Sequence, residues 1–168
     1  MGVLDDFMVN PNISLLEKTR IQAQVLVPVM QAMRAEMGRE KADALVRGAL
    51  REWSKQIFAA IGNGIEGSPG RKFAKMNNAL ADVTEHEVTF HMHRNDEAAR
   101  EFDITSCRFA EFFRAIGEPE LGALLVCHTD TDIAEAGGRD VDFSRTQTLM
   151  QGASCCDFRY KFAPRQPQ

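Results

Sequence analysis

All four cysteines of this 168-residue chain lie in its C-terminal part, in three groups with polar or charged companions. The groups are Ser106-Cys107-Arg108, Cys127-His128-Thr129-Asp130 and Cys155-Cys156-Asp157-Phe158-Arg159. A structural cysteine usually behaves as a small apolar filler among apolar neighbours. Thiols beside carboxylate, imidazole and guanidinium groups instead predict a site, in which a thiol acts as a nucleophile or as a metal ligand.

Cys107 lies where the sequence pattern passes from a strand to a helix. Thr105 or Ser106 is a typical helix N-cap, which places Cys107 in the first helical turn. The free N–H groups and the dipole of a helix start favour an anion, so we expect the pKa of this thiol to be lowered. Cys107 is therefore a candidate nucleophile, and a thiol that merely fills the strand–helix junction is the alternative.

Helix and strand periodicity predict which residues lie beside the remaining thiols. Cys127 and Asp130 are three residues apart, which places them side by side on a helix. In the last predicted strand, Cys156 alternates in step with three aromatic residues, whereas Cys155 falls on the opposite, charged face. We therefore expect Cys156 to point towards the core and Cys155 to lie outside the site.

Metal binding is the alternative use of the same side chains. The possible zinc ligands are Cys107, Cys127 and Cys156, with His128 or Asp130 as the fourth. The spacings of 20 and 29 residues between these cysteines match no compact zinc motif. A chain of this length needs no disulfides as staples, so we expect free thiols, no cofactor, and zinc only as the alternative.

Composition excludes several classes of function. A chain of 168 residues with 44% hydrophobic residues is large enough for one domain with a real core. The formal charge of −4 provides no basic surface for nucleic acid. No apolar run is long enough to span a membrane, and the N-terminus lacks the features of a signal peptide. We therefore expect a cytoplasmic protein that binds neither nucleic acid nor membrane.

The N-terminal part, residues 1–80, is predicted to be mainly helical. Ser14 starts a capping-box sequence and Gly38 is a typical helix stop, so one helix lies between them. A second helix covers about 40–61, with Arg47, Arg51 and Lys55 on its polar side. Two amphipathic helices joined by a short turn indicate a helical hairpin. Their apolar residues could also form the interface of a homo-oligomer.

The C-terminal part, residues 81–163, mixes strands with short helices. Alternating patterns predict strands at 85–93, 99–105, 141–149 and 155–162. The first two and the last two form hairpins that we expect to join in one antiparallel sheet. The predicted fold is thus a single α+β domain, 1–168, with the helical hairpin packed on a small sheet and helices between its two hairpins.

Several of these motifs, in this order, resemble the L-2-amino-thiazoline-4-carboxylic acid hydrolase family. They are Gly117-Glu118-Pro119-Glu120-Leu121, Cys127-x-x-Asp130, Arg145-Thr146-x-Thr148, Gly152 and Cys156-Asp157-Phe158-Arg159. The resemblance implies a small bacterial hydrolase that opens a cyclic amidine-like ring at a carbon–nitrogen bond. In the namesake reaction the ring is a thiazoline and the product a carbamoylated cysteine. Ser106 departs from the pattern, which has Asn before the cysteine, and this leaves the identity of the ring open.

The resemblance and the chemistry of ring opening together assign roles to the site residues. Cys107 or Cys156 is the candidate nucleophile, and Asp130 orients the amidine and moves protons. Arg145 or Arg159 would clamp the carboxylate of a small heterocyclic substrate. The further substrate-binding candidates are Cys127, Thr146, Thr148 and Asp157. Two alternatives remain, a zinc-dependent hydrolase of the same substrates and a small-molecule sensor domain with a cysteine-held zinc.

Overall fold

The computed structural model describes residues 13–84, 86–136 and 140–163. Its elements are α1 (Leu15–Met37), α2 (Arg39–Asn63), α3 (Pro69–Val83), β1 (Val88–Asn95), β2 (Ala99–Cys107), α4 (Arg108–Ala115), α5 (Pro119–Gly122), α6 (Thr129–Ala136), β3 (Val141–Ser144) and β4 (Cys156–Phe162). A π-helical turn (Ala123–Cys127) continues α5, and a short 3-10 helix (Leu149–Gln151) precedes β4. Three helices followed by a sheet with intervening helices confirm the predicted α+β class.

The two long N-terminal helices begin and end close to their predicted positions. The Ser14 side chain accepts a hydrogen bond from the Glu17 N–H at 3.1 Å and caps α1. At the other end Gly38 adopts a φ of 84°, in the region that favours glycine. α2 starts at the next residue, and a bidentate pair between Arg34 and Asp43, 2.7 Å for each bond, ties the two helices together. None of the helices in the described ranges has both the length and the apolarity needed to cross a bilayer.

The sheet has the strand order β1-β2-β4-β3, and each neighbouring pair is antiparallel. It consists of the two predicted hairpins, joined by the pairing of β2 with β4. The residue pairs of that junction include Ile104 with Cys156, Phe102 with Phe158 and Arg100 with Tyr160. In β4 alternate residues from Cys156 onwards are buried, so one face of the sheet is covered by helices.

An aromatic cluster fills the space between this face and the helices. The ring of Tyr160 lies 4.4 Å from that of Phe73 in α3 and 4.5 Å from that of Phe143 in β3. A shift of β4 by one residue would expose every one of its buried side chains, so burial fixes the register. Cys156 lies on this face and is 6% exposed, which confirms that it points to the core.

Several element boundaries differ from the predicted ones. β3 ends at Ser144 instead of continuing to Leu149, because the N–H groups of Thr146 and Gln147 both donate to the Asp157 carboxylate at 2.9 Å. Those N–H groups are then not available to a strand ladder. β1 begins at Val88 and extends to Asn95, and residue 85 of the predicted first strand lies outside the described residues.

Candidate functional site

Three of the four thiols are brought together from three different elements. Cys107 ends β2, Cys127 ends the π-helical turn after α5, and Cys156 begins β4. Leu149 packs against both hydrophobic clusters to which these thiols belong, that of Cys156 and that of Cys107 and Cys127. A negative charge on Cys107 or on Cys156 would raise the pKa of Cys127, so the three sulfurs lie within electrostatic reach of one another. The structure thus assembles the predicted three-thiol cluster.

Cys107 is itself the N-cap of α4, so the helix starts one or two residues later than predicted. Its sulfur accepts a hydrogen bond from the N–H of Ala110 at 3.5 Å. The predicted low pKa is wrong, because burial raises the pKa of this thiol and outweighs the lowering by the N–H groups of Ala110 and Phe109. Cys107 is therefore a protonated thiol at neutral pH that nevertheless has donors arranged to stabilise its thiolate.

Cys127 closes a turn of π-helix, a conformation that is often found at functional sites. Burial raises the pKa of this thiol far above its ordinary value, and the charge of Asp130 raises it further. Cys127 therefore remains protonated across the physiological range. Its side chain can pack against a ligand or donate a weak hydrogen bond, but it is the least suited of the three to form a thiolate.

Cys156 accepts a hydrogen bond from the backbone N–H of Leu149 at 3.2 Å. Burial raises its pKa to about 11, although this hydrogen bond acts in the opposite direction. Cys155, by contrast, accepts a hydrogen bond from the Gln147 side chain at 3.0 Å and belongs to neither buried cluster of the site. Of the two adjacent cysteines, only Cys156 takes part in the thiol cluster.

Asp130 and Arg145 form an ion pair at the edge of the thiol cluster. One guanidinium nitrogen lies 2.5 Å from the carboxylate, and another donates to the carbonyl oxygen of Cys127 at 3.1 Å. Desolvation raises the pKa of Asp130 to about 6, even though Arg145 pulls it down. The Asp130 side chain is 31% exposed, so solvent reaches part of it.

Arg145 is held over the aromatic cluster. Its guanidinium carbon lies 5.1 Å from the ring centre of Phe158 and 5.9 Å from that of Phe143, and only 12% of the side chain is exposed. Cation–π contact with two rings, together with the ion pair, fixes the position of the guanidinium. The arrangement combines a fixed cation, a carboxylate that titrates near neutral pH, and three thiols.

The segment between Arg145 and β4 is held by internal hydrogen bonds. The Thr146 hydroxyl donates to the Asp157 carboxylate at 2.6 Å, in addition to the two N–H bonds described above. These bonds outweigh the effect of burial and lower the pKa of Asp157. Thr148 caps the 3-10 helix by accepting from the N–H of Gln151 at 3.2 Å, and Gly152 ends it with a φ of 94°. These side chains position Arg145 and Cys156.

Two of the predicted residues lie apart from the cluster. Arg159 projects from the other face of β4, where it binds Asp103 at 2.8 Å. His128 is exposed, and burial of part of its ring lowers its pKa. Within the described ranges, no group of three or more His, Cys, Asp or Glu residues is arranged to hold a metal ion. The zinc alternative stays a prediction.

Sequence reasoning missed two residues beside the site. Tyr160 is 2% exposed and lies within electrostatic reach of Asp130 and Arg145, and its alternation with Cys156 was the signal that could have found it. Asp132 is 1% exposed and pairs with Arg47 of α2, one bond measuring 2.9 Å. No local pattern links those two positions, which are far apart in the chain.

Comparison with known proteins places most of the chain in one family. The model of the family described as L-2-amino-thiazoline-4-carboxylic acid hydrolase matches residues 18–160. The match covers all three thiols of the cluster, Asp130, Arg145, all of α2 and all but the first three residues of α1. No protein in a curated collection matches the chain significantly.

Proposed function

The chain belongs to the L-2-amino-thiazoline-4-carboxylic acid hydrolase family, and from this premise we propose that it opens a carbon–nitrogen bond in a small cyclic amidine-like ring. The proposed substrate is 2-aminothiazoline-4-carboxylate or a related heterocycle. The observation that carries the proposal is the Asp130–Arg145 pair beside one buried and two partly buried thiols. A nucleophile, a proton carrier and a cation for a carboxylate are the three parts that such a hydrolysis needs.

Cys107 is the proposed nucleophile. Two backbone N–H groups, of Ala110 and Phe109, favour its thiolate, and a helix start supports negative charge there. Cys156 has one such donor, Leu149, and Cys127 has the pKa that burial raises most. All three thiols are protonated at neutral pH, so the attack requires a base that removes the proton as the carbon–sulfur bond forms.

Asp130 is the proposed base and acid. With a pKa of about 6 it is mostly a carboxylate at pH 7 and can accept the Cys107 proton, directly or through one water. The sulfur bonds to the amidine carbon, and the electron pair of the C=N bond moves to nitrogen. Asp130 then returns the proton to the ring nitrogen, which takes a second proton from the amino group outside the ring. The ring carbon–nitrogen bond breaks as that amino nitrogen forms a C=N bond to the same carbon. A water molecule attacks the same carbon, releases the Cys107 thiol and leaves a carbamoyl group.

Arg145 is the proposed anchor for the substrate carboxylate. Its guanidinium lies among the aromatic rings and the Asp130 carboxylate, whereas Arg159 lies on the other sheet face. A carboxylate that binds Arg145 competes with Asp130 for the cation. Substrate binding would therefore free the Asp130 carboxylate to accept the Cys107 proton.

The test is turnover of 2-aminothiazoline-4-carboxylate, followed by mass spectrometry of the carbamoylated product, with Cys107→Ala, Cys156→Ala and Cys155→Ala as variants. We expect Cys107→Ala to lose about a thousandfold or more of kcat. Cys155→Ala, the matched control outside the cluster, should keep full activity. An intact-mass adduct on Cys107 during turnover would identify the covalent intermediate.

Three results would contradict the proposal in different ways. Full turnover in both Cys107→Ala and Cys156→Ala would eliminate cysteine catalysis. Loss of turnover only in Cys156→Ala would transfer the nucleophile to Cys156. Tight binding of the ring compound without any product, even after prolonged incubation, would favour a small-molecule sensor over an enzyme.

A further inference from the structure

The outward face of α1 carries no charge along most of its length. Nine residues between positions 21 and 32 are exposed: Ile21, Gln22, Gln24, Val25, Leu26, Pro28, Val29, Gln31 and Ala32. None of them is charged, although 26% of the whole chain is. The exposed fractions of Ile21, Val25 and Val29 are 57%, 64% and 47%. A contiguous apolar stripe of this kind on a soluble protein marks a contact surface.

The apolar stripe is a row of side chains along one side of α1, with opposite charges at its two ends. At 3.6 residues per turn, the side chains within about 40° of Val25 are Lys18, Ile21, Val25, Val29, Ala32 and Glu36. The stripe is thus bounded by a cation, Lys18, at its N-terminal end and by an anion, Glu36, at its C-terminal end. Neither of these two residues forms an ion pair with another described residue.

We propose that this face of α1 binds the same face of a second copy of the chain in an antiparallel homodimer. The midpoint between Lys18 and Glu36 is position 27, in the middle of the stripe. A two-fold axis there would set Lys18 of each protomer against Glu36 of its partner, so both ion pairs form at once. At a shallow crossing angle of about 20°, the ridges of one helix pack into the grooves of a second and the helix ends stay close together, and most soluble oligomers are symmetric homo-oligomers.

A groove beside the stripe widens the surface that a partner can cover. It lies between α1 and α4, has a volume of about 480 Å³, and is lined mainly by apolar residues that include Val27 and Phe112. A standard interface buries about 800 Å² on each partner, and the groove gives the contact more width than the crest of one helix. The groove residues Val27 and Phe112 pack in the same hydrophobic cluster as Cys107, but neither the stripe nor the groove contains a thiol, and the inference does not rest on the proposed function.

The first experiment measures the mass of the full chain in solution against its concentration, by light scattering and sedimentation. The wild-type chain should be a dimer that dissociates on dilution. Val25→Glu should weaken the dimer about a hundredfold or more, since two buried charges would face each other at the contact. The matched control is Phe90→Glu in edge strand β1, which is 45% exposed and should leave the dimer unchanged. Circular dichroism and the thermal midpoint show whether each variant folds.

Charge reversal tests the antiparallel arrangement itself. Lys18→Glu and Glu36→Lys should each weaken the dimer about three- to tenfold at low salt. The double variant should regain wild-type affinity, and an equimolar mixture of the two single variants should form heterodimers preferentially. A wild-type chain that stays monomeric at its highest soluble concentration would overturn the proposal. So would a dimer that resists Val25→Glu, or single charge reversals that the double variant does not rescue.

Discussion

At the scale of single residues, burial decides the chemistry of this site more than local sequence does. Cys107 lies at a helix start, as the sequence indicates, and its sulfur accepts a hydrogen bond from a backbone N–H group there. Its pKa is nevertheless raised, because desolvation is the larger effect. A sequence shows which groups lie near one another along the chain, but it does not show how much protein surrounds them. The same desolvation makes Asp130 a group that titrates near neutral pH.

The pH dependence of activity should therefore report Asp130. Its pKa of about 6 predicts that kcat/KM falls as the pH drops below about 6, by about tenfold per pH unit, because the protonated acid cannot accept the thiol proton. Asp130→Asn should lower kcat/KM by about 100- to 10,000-fold and remove this acid limb. Asp142→Asn, at an exposed position of β3, is the control and should keep the limb. Persistence of the limb in Asp130→Asn would assign it to another group.

At the scale of elements, the sequence predicted helices and strands correctly where a local signal sets the ends of the element. The Ser14 cap and the Gly38 stop predicted α1, and alternation predicted both hairpins and the inward direction of Cys156. The prediction failed where a residue distant in sequence accepts hydrogen bonds from backbone N–H groups that a strand would otherwise use. The alternation after Ser144 continues to Leu149, yet the chain leaves the sheet there, because a carboxylate in the next strand takes its N–H groups.

Asp157 should therefore act as a positioning residue for the segment that carries Arg145. It accepts three hydrogen bonds from Thr146 and Gln147. Asp157→Asn replaces one accepting oxygen by a donor, so we expect weaker substrate binding, with KM raised about tenfold or more. kcat should change less than KM. Thr146→Val removes one of the three bonds and should have a smaller effect in the same direction. A wild-type KM in Asp157→Asn would show that the segment holds its position without this carboxylate.

Close packing between α5 and the 3-10 helix gives a second prediction at this scale. A Cβ atom at Gly122 would lie 2.5 Å from the Met150 sulfur and 2.6 Å from a Phe113 ring carbon. Gly122→Ala should therefore lower the free energy of unfolding by about 1–3 kcal/mol. Gly48→Ala in α2 meets nothing within 4 Å and should raise it by about 1 kcal/mol, since alanine is the better helix former. Urea unfolding measures both, and equal effects of the two variants would contradict the packing argument.

At the scale of the whole molecule, the helical half supports the site through its charged face. The sequence placed Arg47, Arg51 and Lys55 on the polar side of α2. In the structure all three bind acidic residues of α6, Arg47 to Asp132 and the other two to Glu135. α6 carries Asp130 in its first turn, so α2 positions the helix that holds the proposed base. A single sequence does not show which of these distant residues form ion pairs with one another.

The Arg47–Asp132 pair should be the most costly of these contacts to break. Asp132 is 1% exposed and Arg47 19%, so Asp132→Asn leaves a mostly buried cation without its anion. We expect a loss of about 3–5 kcal/mol in the free energy of unfolding, measured by urea titration. The double variant Arg47→Met/Asp132→Leu should recover most of that loss, because it leaves no buried charge.

Arg51→Met is the matched control for this prediction, since Arg51 is largely exposed where it binds Glu135. Its effect should be much smaller, because water solvates the freed carboxylate. The charge of Asp132 also raises the pKa of Asp130. Asp132→Asn should therefore move the acid limb of kcat/KM to lower pH, a change that a loss of stability alone would not produce. An unfolding free energy in Asp132→Asn no lower than in Arg51→Met, with an unmoved limb, would show that α2 and the site are independent.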